Sequence, residues 1–273
     1  MERRIDSHCH IYPEKIARKA VEGVRHFYEG QPLKPLDGTR ETLLKVGKAH
    51  GISQFVVHSV ATTPAQVSSI NRFIAESQEM AGGAFIGLGA MHPEAADLAA
   101  DLEEVRRLGL HGVKIHPDIQ QFAMDSPAAL AFFEMCEDEG VRVLAHTGDY
   151  RFDYSNPERV ARVLRRFPNL QMVGAHFGGW SVWEEAERRL CDFPNFRVDT
   201  SSSFYLLTPE RALELIRAFG AERVMFGTDY PVWEPGEDIE FLDALPLSEN
   251  EREQIWFRTC EEFYGLTPPE SGK

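Results

Sequence analysis

His116, His146 and His176 lie 30 residues apart, and each closes a short, mostly apolar run. Similar runs carry or end at His58, His92, Asp199 and Asp229, and the earliest stretch, Asp6-Ser7-His8-Cys9-His10, carries two more histidines. Between the runs, Thr63-Pro64, Ser126-Pro127, Asn156-Pro157 and Thr208-Pro209 mark helix starts. The polar side chain caps the first free N–H groups, and proline at the first turn removes a bond the helix does not make there. Counted this way, eight strands each precede a helix: near 5–10, 54–60, 84–91, 112–116, 141–146, 170–176, 196–200 and 223–229. Strand–helix alternation means parallel βαβ units, and runs that are apolar rather than alternating fit a sheet buried on both faces. A doubly wound open sheet uses the same alternation. Eight units in 273 residues favour the closed (β/α)8 TIM barrel, an α/β fold of roughly 250 residues. No Gly/Ser-rich or Pro-rich linker divides the chain, so residues 1–273 read as a single domain. Residues 11–37 exceed the repeat. They are expected to form an insert, with a helix near 13–27, as a lid or wall over the end of the first strand. Residues 94–108 and 248–264 read as helices, and a polar tail follows.

Bulk composition narrows the function. Lys and Arg total 29 against 43 Asp and Glu, a net charge of −14. A surface this acidic argues against nucleic acid and against an anionic membrane, both of which select clustered positive charge. A small-molecule substrate is expected instead, and a homodimer is admitted without being required. Cys9, Cys136, Cys191 and Cys260 are far apart and form no Cys-x-x-Cys pair, which removes ribbon-type zinc sites and redox pairs. With no apolar leader and no run of about 20 apolar residues, the expected location is cytoplasmic.

The ionisable residues collect at the carboxyl ends of the strands, the face on which barrel enzymes build their sites. On an extended first strand, Asp6, His8 and His10 share one face. The eighth strand adjoins the first on closure, so Asp229 falls beside the His8/His10 pair, and His176 adjoins His146 on neighbouring strands. His8, His10, His146 and Asp229 are therefore candidate metal ligands. Imidazole and carboxylate suit zinc first, with manganese or iron also matched to the set. Asp229 can also act catalytically by taking a proton from activated water, and His176 by orienting that water or stabilising developing charge.

Five stretches in order, Asp6-Ser7-His8-Cys9-His10, Gly112-Val113-Lys114-Ile115-His116-Pro117, Ala145-His146-Thr147-Gly148, Gly174-Ala175-His176-Phe177-Gly178-Gly179 and Gly227-Thr228-Asp229-Tyr230-Pro231, resemble the amidohydrolase superfamily. Within it they resemble the amidohydrolase-2 branch of metal-dependent TIM-barrel hydrolases and decarboxylases, from about residue 5 to 266. The resemblance implies His8, His10, His146 and Asp229 as ligands and His176 as the catalytic histidine. Lys114 could serve as a carbamylated bridge between two metals, but its surroundings look more like the single-metal relatives, so one ion is expected.

Substrate contacts are sought in the loops after the later strands. Arg151 is a candidate carboxylate clamp, or else an ion-pair partner of Asp149 or Asp153. Tyr150, Trp180 and Tyr230 are candidate pocket walls, and His116 a candidate substrate-orienting residue. His58 and His92 read equally as supporting residues or as hydrogen-bonded strand ends. The loop after His176 lacks the proline of decarboxylase relatives, and the chain is shorter than theirs. Both features favour a hydrolase acting on a small amide, lactone or ester. The alternatives are non-oxidative decarboxylation of a small aromatic or unsaturated carboxylic acid, and a non-catalytic metal- or ligand-binding barrel.

Overall fold

The computed structural model describes residues 3–266, so the first two residues of the charged start and the polar tail from 267 lie outside the described residues. Among the described residues, nine short strands occupy eight positions: β1 (Ile5–His10), β2 (Gln54–His58), β3 (Phe85–Gly87) with β4 (Gly89–Ala90), β5 (Val113–Ile115), β6 (Val143–Ala145), β7 (Met172–Gly174), β8 (Phe196–Asp199) and β9 (Val224–Met225). Every pairing is parallel, in the orders β1-β2-β3 and β4-β5-β6-β7-β8-β9. The expected strand 84–91 is split at Leu88. The Leu88 N–H donates to Val57 on one side, and the Gly89 N–H donates to Gly112 on the other. A second seam lies between β1 and the segment after β9. It is spanned by Ser7 N–H to Phe226 O (2.8 Å), Asp229 N–H to His8 O (3.0 Å) and His10 N–H to Tyr230 O (2.6 Å). The pairing is therefore that of a barrel, while the regular ladder is not one continuous closed sheet.

Side-chain alternation separates two cores. Val57, Phe85, Val113, Ile115, Val143 and Met172 belong to the layer shared with the surrounding helices. Ile5, Val56, Ile86, Leu144, Val173 and Met225 point the other way and cluster with Cys260, Phe263 and Tyr264 of the last helix. That helix thus packs against the inner residues, away from the strand ends that carry the histidines.

Three of the four proline-marked starts open capped α-helices, whereas Thr63-Pro64 opens a 3-10 turn, Pro64–Gln66, ahead of the helix Val67–Met80. Ser126, Asn156 and Thr208 each accept the N–H three residues on, opening helices Pro127–Asp138, Pro157–Arg166 and Pro209–Phe219. The insert holds a helix at Glu14–Phe27. Two expectations need correcting. The helix expected from 94 starts at Leu98, because the Asp97 carboxylate accepts from Ala100 and fixes the first turn there. A helix at Pro235–Ala244 was not anticipated from the sequence; it follows the eighth strand and opens on Pro235. The closing helix is interrupted by a π-helical turn at Gln254–Arg258. Among the described residues no helix is long and apolar enough to cross a membrane.

Candidate metal centre and cleft

β1 delivers His8 and His10 to the carboxyl end of the barrel. The His8 Nδ1–H donates to Oδ2 of Asp199 at 2.8 Å, which leaves the lone pair on Nε2. Burial, then the Lys114 charge, lowers the His8 pKa to about 4, so the ring is neutral. Burial alone would raise Asp199, but His8 and Ser201 outweigh it and hold the carboxyl at about 2. The freed Nε2 stands 3.5 Å from Oδ1 of Asp229, and Nε2 of His10 stands 3.3 Å from the same oxygen. Lys114 Nζ is 3.2 Å from His8 Nε2, and burial pulls its pKa down to about 8.

Asp229 and His176 both take left-handed backbone, at φ 68° and 61°. Such a conformation strains a residue with a Cβ and persists only where neighbours enforce it. Here Asp229 N–H is tied to His8 O (3.0 Å), and His176 N–H to the Asp199 carboxylate (3.1 Å). Thr228, beside Asp229, is fixed by Asp6, which accepts both its N–H (3.0 Å) and its hydroxyl (2.6 Å). The second Asp229 oxygen, Oδ2, accepts the Ser202 hydroxyl at 2.6 Å, and Trp233 Nε1–H donates to that hydroxyl at 2.9 Å.

His146 reaches this centre only through His176. Its Nδ1 is 3.0 Å from His176 Nε2, and its Nε2 is 3.0 Å from the Gly148 carbonyl and 3.7 Å from Asp118. His176 Nδ1–H faces the Ser201 carbonyl at 2.8 Å. Three of the four expected ligands thus converge on one point, with His146 one residue removed. Gly148 (φ 73°) explains the Ala-His-Thr-Gly stretch: a Cβ there would come within 2.5 Å of the Gly179 backbone. The loops that carry His146 and His176 touch at those two glycines.

A narrow cleft opens over the centre. His146, His176 and Asp229 form part of its lining, and Tyr28, Trp180, Tyr205 and Ser202 wall it. Tyr28, Gln31 and Leu33 come from the insert at 11–37, which therefore contributes to the wall of the cleft. Tyr205 ties that insert down: its hydroxyl donates to Gln31 at 3.1 Å and accepts from Trp180 Nε1–H at 3.2 Å.

Of the expected substrate contacts, Trp180 lines the cleft and the others stand back from it. Arg151 donates through Nε (2.9 Å) and an Nη (2.6 Å) to the Asp149 carboxylate and through its other Nη to the Phe27 carbonyl (2.6 Å). The ion-pair alternative is the one realised, because a buried carboxylate two residues away captures the guanidinium. Tyr150 is 66% exposed, and Tyr230 is buried with its hydroxyl on the Thr39 carbonyl at 2.8 Å. His116 stacks on His146 at 3.9 Å and accepts the Ile119 N–H through Nδ1, capping the short helix Pro117–Gln120. Its Nε2 meets the Tyr28 hydroxyl at 3.2 Å. Tyr28, Gln31, Leu33 and Ser202 were missed. The insert's aromatic and charged character was the one available sign for the first three.

The residues fit a divalent ion. Donors around an ion at about 2.0–2.1 Å in tetrahedral array are roughly 3.3 Å apart, close to the 3.3 and 3.5 Å separations about Asp229 Oδ1. His10 Nδ1 and both His58 nitrogens are buried without hydrogen-bond partners. His8, with its second nitrogen held by a carboxylate, has the arrangement that fixes a metal-ligating tautomer.

The family profile described as Amidohydrolase matches residues 5–266. The chain is 29% identical over 231 residues to a 2-amino-3-carboxymuconate-6-semialdehyde decarboxylase of Dictyostelium discoideum, a match covering 67% of this chain and 62% of that protein. An uncharacterised TIM-barrel protein of Bordetella bronchiseptica superposes with a TM-score of 0.80 at 23% identity, over 97% of this chain and 99% of that one. A 5-carboxyvanillate decarboxylase of Novosphingobium aromaticivorans, solved with manganese and 4-hydroxy-3-methoxy-5-nitrobenzoic acid, superposes with a TM-score of 0.75 at 15% identity, over 96% of each chain.

Proposed function

We infer that this chain, which belongs to the Amidohydrolase family, is a metal-dependent decarboxylase of a small aromatic or unsaturated carboxylic acid. One observation carries the reading: His8 Nε2 and His10 Nε2 are gathered about one oxygen of Asp229 beneath an aromatic-walled cleft. The proposed ligands are His8, His10 and Asp229, with His146 the fourth, joining when it gives up its bond to His176. Zinc remains the ion suggested by the donors, and manganese has the support of the Novosphingobium enzyme.

When bound, the divalent ion supplies the positive charge that draws in the substrate carboxylate and withdraws electron density through the substrate's oxygens. This accounts for a cleft whose lining contains neither Lys nor Arg. Tyr28, Trp180 and Tyr205 hold a flat ring or conjugated chain, and the tie between Tyr205 and Gln31 keeps water out. Decarboxylation breaks the bond to the carboxyl carbon, leaves its electron pair on the substrate and requires one proton there. His176 lines the cleft with Nδ1–H committed to Ser201 and Nε2 beside His146 Nδ1; it is the residue placed to take a proton from solvent on Nε2 and pass it to the vacated carbon, returning to its starting state.

Hydrolysis, favoured from the loop after His176 and the chain length, asks Asp229 to accept a proton from water. Both oxygens of that carboxylate are already engaged, Oδ1 by the histidines and Oδ2 by the Ser202 hydroxyl, so a water would compete with them. The Dictyostelium relative also supports decarboxylation. The test is a panel of single-ring and unsaturated carboxylic acids with the metal-reconstituted protein in heavy water. Carbon dioxide release with one deuterium at the vacated carbon is expected. A product that has gained water and retained its carboxyl group would overturn the reading.

A further inference from the structure

His58, at the end of β2, is fully buried, and among the described residues neither ring nitrogen meets a hydrogen-bond partner. Each of the other strand-end histidines meets at least one partner, although His10 Nδ1 is also unpartnered. His92 Nδ1 accepts the Glu94 N–H, His116 meets Ile119 and Tyr28, and His146 and His176 meet each other and a carbonyl apiece. An unsatisfied imidazole is thus not a general property of this end of the barrel. His58 pairs in register with His10, and its ring stands edge-on to His10 at 4.4 Å and to His8 at 4.8 Å. One nitrogen each from His8, His10 and His58 lie within 4.8 Å of one another.

We propose that His58 is a ligand of the metal centre, joining His8, His10 and Asp229. The proposal rests on the metal reading given above. A buried imidazole with no donor or acceptor against it keeps a lone pair for a cation, and one of its nitrogens lies within 4.8 Å of a nitrogen of each of the two histidines. With His58, three imidazoles and a carboxylate form a donor set for zinc, cobalt, manganese or iron before His146 turns toward the ion as a further donor.

The experiment strips the full-length protein with a chelator, then titrates zinc against a chromophoric competitor and cobalt by its visible absorption. His58→Ala and the bulkier His58→Gln are compared with the wild type, His92→Ala, His8→Ala and Asp229→Ala. Both His58 variants are expected to lose more than about 100-fold in zinc affinity, beyond the 10–100-fold typical of a residue acting through a ligand. Both should change the cobalt spectrum, while His92→Ala retains wild-type behaviour. Shifted imidazole N–H resonances in the unmutated cobalt protein, assigned by isotope labelling, supply the same answer should either variant fail to fold: His58 is expected among them. Wild-type zinc affinity and an unchanged cobalt spectrum in the His58 variants would overturn the proposal, as would a His58 resonance left unshifted. If His8→Ala and Asp229→Ala lose zinc while the His58 variants keep it, this assignment alone fails. If all four keep it, the metal reading fails as well.

Discussion

Asp199 acts on the candidate centre without facing the cleft. Its Oδ2 takes the His8 Nδ1–H, and its Oδ1 takes the N–H groups of His176 and Ser201. One buried carboxylate therefore sets the tautomer of His8 and holds His176 in its strained conformation. Asp199→Asn can present an amide N–H to His8 and reverse that tautomer. Its metal affinity should fall by about 10–100-fold, measured by chelator competition, with little loss of volume or packing. An unchanged affinity would show that Asp199 serves only the backbone of β8. From the sequence Asp199 is visible only as a strand-end carboxylate, because position at a strand end says which face a residue joins but not whose nitrogen it meets. The same limit applies to Arg151. A basic residue after His146 was visible, but its capture by Asp149 depends on a turn that only the folded loop shows.

The elements that carry the site differ in how plainly the chain announces them. The strands and most helices were legible because apolar runs and Ser/Thr/Asn-Pro caps report local physics. The helix at Pro235–Ala244 was not, since it lies beyond the last repeat and lacks a strong apolar stripe. The Leu88 break was equally hidden, because a change of hydrogen-bonding partner leaves no mark on side-chain pattern. The glycine contact between the His146 and His176 loops allows a sharp test. Gly148→Ala puts a methyl group into the Gly179 backbone and keeps an unfavourable positive φ. A loss of about 1–3 kcal/mol in unfolding free energy is expected, together with reduced turnover. Wild-type stability and activity would mean that the loops separate freely. The insert is tested through its tie. Tyr205→Phe removes the hydroxyl shared by Gln31 and Trp180, at a net cost of about 0.5–1.5 kcal/mol per hydrogen bond. KM should rise several-fold with metal affinity unchanged. A metal-affinity loss instead would place Tyr205 in the centre rather than at the wall.

Across the whole molecule, buried carboxyl groups give stability opposing pH dependences. Burial raises Asp118 to about 7 from an ordinary 3.8. The unfolded chain ionises this group first, so its contribution is fully present below pH 3.8 and is lost as pH rises through 7. Asp199, held at about 2, behaves oppositely: its contribution is present above 3.8 and is lost as pH falls toward 2. Asp118→Asn removes only the first dependence. In chelator-treated protein the variant should gain on the wild type between pH 5 and pH 8, by at most about 3 kcal/mol over that window. A gap that stays constant with pH would show Asp118 to be ionised throughout. The insert has a consequence of another kind. The barrel repeats supply the histidines and Asp229, whereas Tyr28, Gln31 and Leu33 come from a stretch outside those repeats. Recombination or drift in that one stretch can therefore change which substrates the barrel admits while the ionisable centre is inherited intact, so selectivity and reactivity in this scaffold can evolve, or be engineered, on separate schedules.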